Sequence, residues 1–309
     1  MEHRINKKSS QKIGKRNKLI FYIAVMALPV LQFFIFWFCV NINSILLAFK
    51  TWNFEMERFE WYAFNNFVEV IKDIGSVPSL KFSVKNSLLM YGLTLPFGTP
   101  LALIFSFYLY KKKPLSGTFK TILYLPHILS SLIVVVVFKF FVNRAIPGMY
   151  EMLTGGKTMQ GLLANMKTEL ATIIFFNIWT GFGTSTMMYL GAMNGISESV
   201  VEAAELDGIT PFKELWYITI PLIWPTFVTF VVVGFAAMFT GQYNLFNFYG
   251  MDAPPKLNTF GYYLYVRAKE AVFHEYPELA AMGLCLSFVA APCTILLRKA
   301  LERFGPRTV

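Results

Sequence analysis

The chain has 309 residues, of which 55% are hydrophobic, 17% aromatic and only 15% charged. Soluble domains carry ~25% charged residues, so this composition excludes an ordinary soluble domain and points to a membrane protein. The net charge of +10 would suit nucleic acid, but the basic residues gather beside apolar runs, where an anionic inner leaflet is their natural counterpart and no nucleic-acid partner is required.

Residues 1–18 form a basic arm, with Arg4, Lys7, Lys8, Lys12, Lys15, Arg16 and Lys18 set against the lone acid Glu2. The apolar run from Leu19 to Val40 is broken only by Gln32. It exceeds the ~7–15 residues of a signal-peptide core and suits the ~20 needed to cross a bilayer. It predicts an uncleaved first transmembrane helix with a cytoplasmic N-terminus. Beyond it, Trp52, Phe54, Phe59, Trp61, Tyr62, Phe64 and Phe67 fit an aromatic belt at the outer interface. Phe64 to Ile71 reads either as the start of an amphipathic segment on the membrane or as a loop packed on the bundle.

Phe82 to Tyr110 is the second expected span, with Pro96 and Pro100 tolerated inside a bundle, and Lys111, Lys112 and Lys113 end it. Thr121 to Val142 is the third, with Lys139 near its outer end reading as a lysine that snorkels to the interface. Asn143 to Thr168 follows as an outer loop. Leu170 to Met193 is the fourth span, in which Gly181, Gly183 and Ser185 allow close helix approach. Leu222 to Tyr243 is the fifth, Asn244 to Glu275 an outer loop, and Tyr276 to Leu297 the sixth. Arg298, Lys299, Arg303 and Arg307 close the chain. The expected organisation is a basic arm at 1–18, a six-span body at 19–298 and a tail at 299–309, with both termini cytoplasmic by the positive-inside rule.

Catalytic signatures are missing. Gly155-Gly156-Lys157-Thr158 resembles the end of a phosphate-binding loop, but Tyr150 stands where the first glycine belongs, so ATP is not expected to bind this chain. His3, His127 and His274 are scattered over arm, span and loop, which argues against a metal site. Cys39, Cys285 and Cys293 lie in or beside apolar runs and read as buried free thiols. Polar groups inside a membrane are costly and are therefore candidates for function. Asn177 and Trp179 in the fourth span, with Gln242, Tyr243 and Asn244 near the end of the fifth, suit a polar route for a sugar, since aromatic rings and amides match hydroxylated rings. Hydrogen-bonded glue between helices is the competing reading.

Between spans four and five, residues 195–221 hold a helix–turn–helix. Ser199 and Glu202 suit a capping box, and Glu202, Ala203, Ala204, Glu205 and Leu206 favour a helix that ends at Gly208. Thr210 and Pro211 then read as N-cap and first position of a second helix. Phe212, Leu215 and Trp216 are spaced to share an apolar face on it. Such a surface invites a protein partner.

Glu202-Ala203-Ala204, Gly208, Ile218 and Pro221 match the spacing of the EAA loop in membrane subunits of binding-protein-dependent ABC importers, and VEAAELDGIT resembles the carbohydrate-uptake branch of that family. Ile220 stands where leucine is usual, and Asp252-Ala253-Pro254-Pro255 replaces the glycine-rich stretch often found before the last span. The resemblance implies an all-α membrane protein of type I ABC importer permease fold in a bacterial cell membrane. Six transmembrane helices are implied, with a cytoplasmic EAA loop between spans four and five. It further implies a second permease subunit, expected as a heterodimer, two cytoplasmic ATPase subunits carrying the ATP and magnesium, and a lipid-anchored or periplasmic solute-binding protein. Glu202, Ala203, Ala204, Leu206, Asp207 and Gly208 would be the docking element. A secondary transporter or channel with a cytoplasmic helical gate is the alternative class, but it would need coupling carboxylates central in the spans, where none stands.

Overall fold

The computed structural model describes residues 2–306, with side chains from Asn17 onward. The side chains of the basic arm up to Arg16, including His3, and the tail residue Arg307 lie outside the described residues. By contacts the chain forms two compact units, one made of the chain up to Val70 with Ala271–Leu284, the other of Ile71–Glu270 with the chain from Cys285 onward.

In the first unit, helix α1 (Glu2–Gln32) continues through a π-helical stretch, Phe33–Cys39, into Val40–Leu47. Its membrane-length part, Asn17–Leu47, has no buried residue, so its apolar surface is left to lipid or to another chain. Strands β1 (Lys50–Asn53) and β2 (Arg58–Trp61) follow as an antiparallel hairpin with Trp52 opposite Phe59. The expected aromatic belt thus has strand structure. Trp52 meets Phe59 and Phe273 edge to face, and Phe49 gathers Trp61, Phe64 and Phe67. Phe64 to Ile71 leads into helix α2 (Asn65–Ser76), which is helical but also packed, with Asn66, Phe67 and Val70 buried; the Asn66 amide donates to the carbonyls of Ala48 and Lys50.

The second unit is built on α3 (Pro78–Tyr110) and α6 (Glu169–Met193). Between them run α4 (Ser116–Ile128) and α5 (Ser131–Thr154), the latter with a π-helical turn at Phe141–Ala145. These two replace the expected single span Thr121 to Val142. The helix breaks at Leu129 and Ser130, which are extended, just after Pro126, whose ring removes one helical hydrogen bond. Helix α5 also runs past Val142 to Thr154, where Gly155 (φ 67°) and Gly156 (φ 103°) terminate it. Those glycines are a helix stop.

Helices α7 (Glu198–Leu206), α8 (Pro211–Leu222) and α9 (Trp224–Ala237) follow. Helices α8 and α9 meet at 72°; Pro225 withholds the N–H that would bond back to Pro221. The fifth apolar helix begins at this bend and stops at Ala237 rather than Tyr243. The chain then passes through α10 (Leu245–Tyr249), α11 (Phe260–Glu270) and α12 (Tyr276–Phe304).

Among the described residues, four helices are long and apolar enough to cross a membrane: Asn17–Leu47, Pro78–Tyr110, Ser131–Thr154 and Phe273–Phe304. The bent pair α8 and α9 makes a fifth if counted as one span. Helix α6 has the length, but Asn177, Thr180, Gly181, Gly183, Thr184, Ser185 and Thr186 dilute its hydropathy. Those small and polar groups are what packs it. Ser106 Oγ donates to the Thr186 carbonyl at 2.8 Å, both residues fully buried, and Gly183 lies flush against the backbone of Leu123. In lipid, such close contacts and interhelical hydrogen bonds hold helices together, because tail-to-tail burial gives little.

Candidate functional site

The loop after α6 folds for local reasons. Helix α7 ends in a double C-cap: Gly208 N–H donates to the Glu205 carbonyl at 3.0 Å and Ile209 N–H to that of Ala204 at 3.2 Å. This closure needs a left-handed residue at its turn, and Gly208 supplies it at φ +67°. Thr210 is extended and Pro211 opens α8, as the sequence predicts. The expected capping box is absent. Ser197 occupies the cap position and its hydroxyl pairs with Ser199 at 2.8 Å, because the helix begins two residues earlier and puts Ser199 inside the first turn.

The faces of the loop are also redistributed. Ala204 is 4% exposed and turned into the chain, so it cannot fill a partner's groove, whereas Glu202, Ala203 and Asp207 are exposed and Leu206 is 88% exposed. Phe212, Leu215 and Trp216 do not share a face. Leu215 is buried with Ile220, Ile223, Tyr189, Met193 and Leu103, while Phe212 and Trp216 are exposed with ring centres 6.2 Å apart. Phe212 and Trp216, one helical turn apart, keep a common face, while Leu215, about 100° round the helix from Trp216, falls on the buried side as α8 widens into a π-helical turn over Leu215–Thr219. Tyr217 is 77% exposed beside them.

A lysine reaches this loop from α3. Lys111 Nζ lies 2.8 Å from Glu214 and 3.2 Å from Glu205. Burial disfavours its charge, but the bonds from Glu214 and Glu205 prevail and raise its pKa above the ordinary 10.5. The stabilisation is thus fully present below 10.5 and is lost only as pH rises through the raised value, outside the physiological range. Sequence reading took Lys111 as an orientation signal alone. Its partners are remote in sequence, and no spacing rule connects them.

The polar residues of the expected route do not line one channel. Asn177, half-buried, donates to the carbonyls of Ile173 at 2.9 Å and Tyr243 at 3.0 Å, and accepts from Asn244 Nδ2 at 2.9 Å. Asn247 extends the chain to Asn244 at 3.1 Å and to Ser131 Oγ at 3.2 Å. Asn177 and Tyr243 also line a cleft of about 330 Å³ walled by α3, α6 and α9, with Tyr91, Thr94, Thr99, Ser185 and Gly234. Trp179, two residues on and so on another face, lies beside Phe138 in a separate apolar groove with Leu125, Ile133 and Val137. Gln242 is half-buried in the turn that follows α9.

Lys139 does not snorkel. Its ammonium donates to the Phe248 carbonyl at 2.8 Å and sits 5.9 Å from the centre of the Tyr249 ring. Tyr249 Oη in turn donates to buried Glu169 at 2.9 Å. Burial and that carboxylate push the phenol's pKa up. Among the described residues no cluster of histidine, cysteine and carboxylate groups has the arrangement of a metal site.

The chain is similar to known proteins in sequence and in fold. Protein LplB of Bacillus subtilis is 27% identical over 226 residues, covering 71% of this chain and 68% of its own. The multiple sugar-binding transport system permease protein MsmF of Streptococcus mutans is 21% identical over 281 residues, 90% of this chain and 94% of its own. A solved bacterial ABC transporter involved in the import of the acidic polysaccharide alginate superposes with a TM-score of 0.76 at 21% identity, covering 95% of this chain and 99% of that one. Residues 95–308, which hold the loop and all of the cleft lining but Tyr91 and Thr94, match the family described as binding-protein-dependent transport system inner membrane component; the chain belongs to that family.

Proposed function

We propose that the chain is the membrane-spanning permease subunit of an ATP-driven importer for a sugar or oligosaccharide handed over by an extracellular binding protein. The carrying observation is the loop between α6 and α9. Its inner side is fixed by Ala204, Leu215 and the Lys111 ion pairs, while Glu202, Ala203, Leu206, Asp207 and the aromatic pair Phe212 and Trp216 stand free. An apolar face rimmed by acids and carried at the end of packed helices suits docking into a partner protein.

In this reading α1, α3, α5, α6, the bent pair α8 and α9, and α12 are the six spans, both termini are cytoplasmic, and the loop faces two ATPase subunits that carry the ATP and magnesium. A second, related permease supplies the other half of the path. Closure of the ATPases moves the loops, Gly208 and the turn pass the motion to α6 and α8, and the cleft opens alternately to either side, the two states differing in their affinity for each partner. A carbohydrate fits the cleft's mixture of tyrosine, threonine, serine and amide groups. YteP, a polygalacturonan/rhamnogalacturonan transport system permease protein of Bacillus subtilis, is 27% identical to this chain over 222 residues, which supports the same class.

The test is reconstitution of the chain with its genomic neighbours, a partner permease and an ATPase, in proteoliposomes. Uptake of galacturonan, rhamnogalacturonan, malto-oligosaccharide and alginate fragments is then measured with ATP inside. Glu202→Lys, which sets a like charge against a basic groove, should release the ATPase and lower uptake without changing the amount of chain in the membrane. Nucleotide binding by the isolated chain, or uptake unaffected by Glu202→Lys, would refute the reading.

A further inference from the structure

Helix α7 is held to its own chain by little packing. Of its nine residues only Ala204 is buried, and its covalent route to α8 runs through Gly208, whose added Cβ would meet nothing within 4 Å. A helix seated by one buried residue passes load to its own chain chiefly through that turn. Helix α8 is the opposite case, with Glu214, Leu215, Thr219 and Ile220 all buried. Lys111 joins the two. It caps the C-terminal end of α3, its N–H bonding back to the Phe107 carbonyl at 3.0 Å, and its single ammonium reaches Glu205 on α7 and Glu214 on α8.

The two carboxylates are not equivalent. Glu214 has a side chain 5% exposed and Glu205 one that is 65% exposed, with Lys111 at 14%. The inner pair is shielded from solvent and salt, so it anchors the ammonium; the outer pair then ties α7 to that anchor. Helix α3 is also the wall of the cleft that carries Tyr91, Thr94, Leu95, Gly98 and Thr99. Lys111 thus lies at the end of the helix that lines the path, within bonding distance of both helices of the loop.

We infer that Lys111, with Glu205 and Glu214, is a positioning clamp that couples the tilt of α7 directly to α3, in parallel with the peptide route through Gly208. The inference rests on the docking reading of the loop. Lys111 touches neither sugar nor nucleotide; it acts by fixing the angle at which α7 meets its partner and by moving α3 when that angle changes. A lysine suits the role because its three donors rotate about one point and stay bonded to both acids as they shift.

The experiment uses the whole complex in proteoliposomes and reads three quantities: ATPase bound per permease, ATP hydrolysed, and sugar imported per ATP, with whichever of the fragments above the wild type imports. Glu205→Gln removes the exposed partner and leaves the buried pair intact, so its folding is spared. Lys111→Met removes both contacts, and Lys111→Arg keeps a cation able to reach both acids. Expected is full ATPase binding in all three, with import per ATP lowered at least about fivefold in Glu205→Gln and Lys111→Met, the lower end of a typical coupling energy, and near wild type in Lys111→Arg. The clamp is overturned if Glu205→Gln imports at the wild-type ratio, whether or not Lys111→Met inserts, because Lys111 would then merely neutralise buried Glu214. Glu202→Lys separates the two levels. If it leaves ATPase binding and import untouched, the docking reading itself fails; if it impairs them while Glu205→Gln does not, only the clamp fails.

Discussion

The side-chain amide of Asn177, midway along α6, donates to the backbone carbonyl of Tyr243 at 3.0 Å. Tyr243 and Asn244 both have left-handed backbones, φ 48° and 60°, a conformation that costs a non-glycine residue about 1–3 kcal/mol when nothing holds it. Asn177 braces this turn, donating to the backbone carbonyl of Tyr243 and accepting from the side-chain amide of Asn244, besides its bond to the Ile173 carbonyl. Three of its four hydrogen-bonding positions are thereby committed. Asn177→Leu should lower the melting temperature of the detergent-purified complex by a few degrees, equivalent to ~1–2 kcal/mol, and reduce transport through loss of folded subunit. Sugar concentration for half-maximal uptake should stay unchanged in the fraction that remains. A large shift in that concentration at unchanged melting would instead make Asn177 a sugar contact.

Gly208 offers a separate test of the loop. No neighbour crowds its Cβ position, so any penalty on substitution arises from the backbone at φ +67° alone. Valine should cost about 1–2 kcal/mol there, and asparagine, which tolerates the left-handed region, much less. Membrane levels should be equal for both variants, while uptake falls in Gly208→Val and is largely kept in Gly208→Asn. Equal uptake in the two would mean that the angle between α7 and α8 does not matter.

The legible part of this chain was that written in runs and punctuation. Apolar length announced α1, α3 and α12, and Gly208, Thr210 and Pro211 announced the loop, because each acts through the chain immediately beside it. Expectations failed where distant contacts decide. The break at Leu129 and Ser130 follows Pro126, yet Pro96 and Pro100 stand inside unbroken α3, so a proline alone does not announce it. The burial of Ala204 depends on the chain against which α7 seats, and that of Leu215 on its contacts with Tyr189, Met193 and Leu103. Lys111 and Lys139 were read by position along the membrane normal, yet each is placed by a partner far along the chain. Asn177 was the intermediate case: the polar group in a span was noticed, and its two readings could be told apart only by locating Tyr243.

Gly183 gives the strongest packing prediction. A Cβ built there would overlap the carbonyl oxygen of Leu123, so α4 and α6 can approach only with glycine at this point. Backbone cannot yield as a flexible side chain would. Gly183→Val should push the two helices apart, also breaking the 3.1 Å contact between Thr184 Oγ1 and the His127 ring one residue on, and should cost the ~1–3 kcal/mol typical of overpacking. Gly181, with open space around it, is the control: Gly181→Ala should be neutral. Membrane-inserted yield of the two variants, measured side by side, checks the contrast.

Lys139 distinguishes an internal tether from a surface charge. If the ammonium reached the interface, replacing it with methionine would keep the stem's volume and cost little. Its 2.8 Å bond to the Phe248 carbonyl predicts otherwise, since the carbonyl at the end of α10 would be left in a buried setting without a donor, at a cost of ~1–3 kcal/mol. The neighbouring Tyr249 ring would lose its cation as well. Lys139→Met should therefore speed amide hydrogen exchange across residues 245–249 and lower the melting temperature, while Lys139→Arg, which keeps a donor and a charge, stays close to wild type. Because Asn247 in the same short helix bonds Ser131 and Asn244, the loosening should spread toward the Tyr243 turn and raise exchange there too. Unchanged exchange over 245–249 in Lys139→Met would return the lysine to the interface and leave α10 held by Leu245 and Phe248 in the core alone.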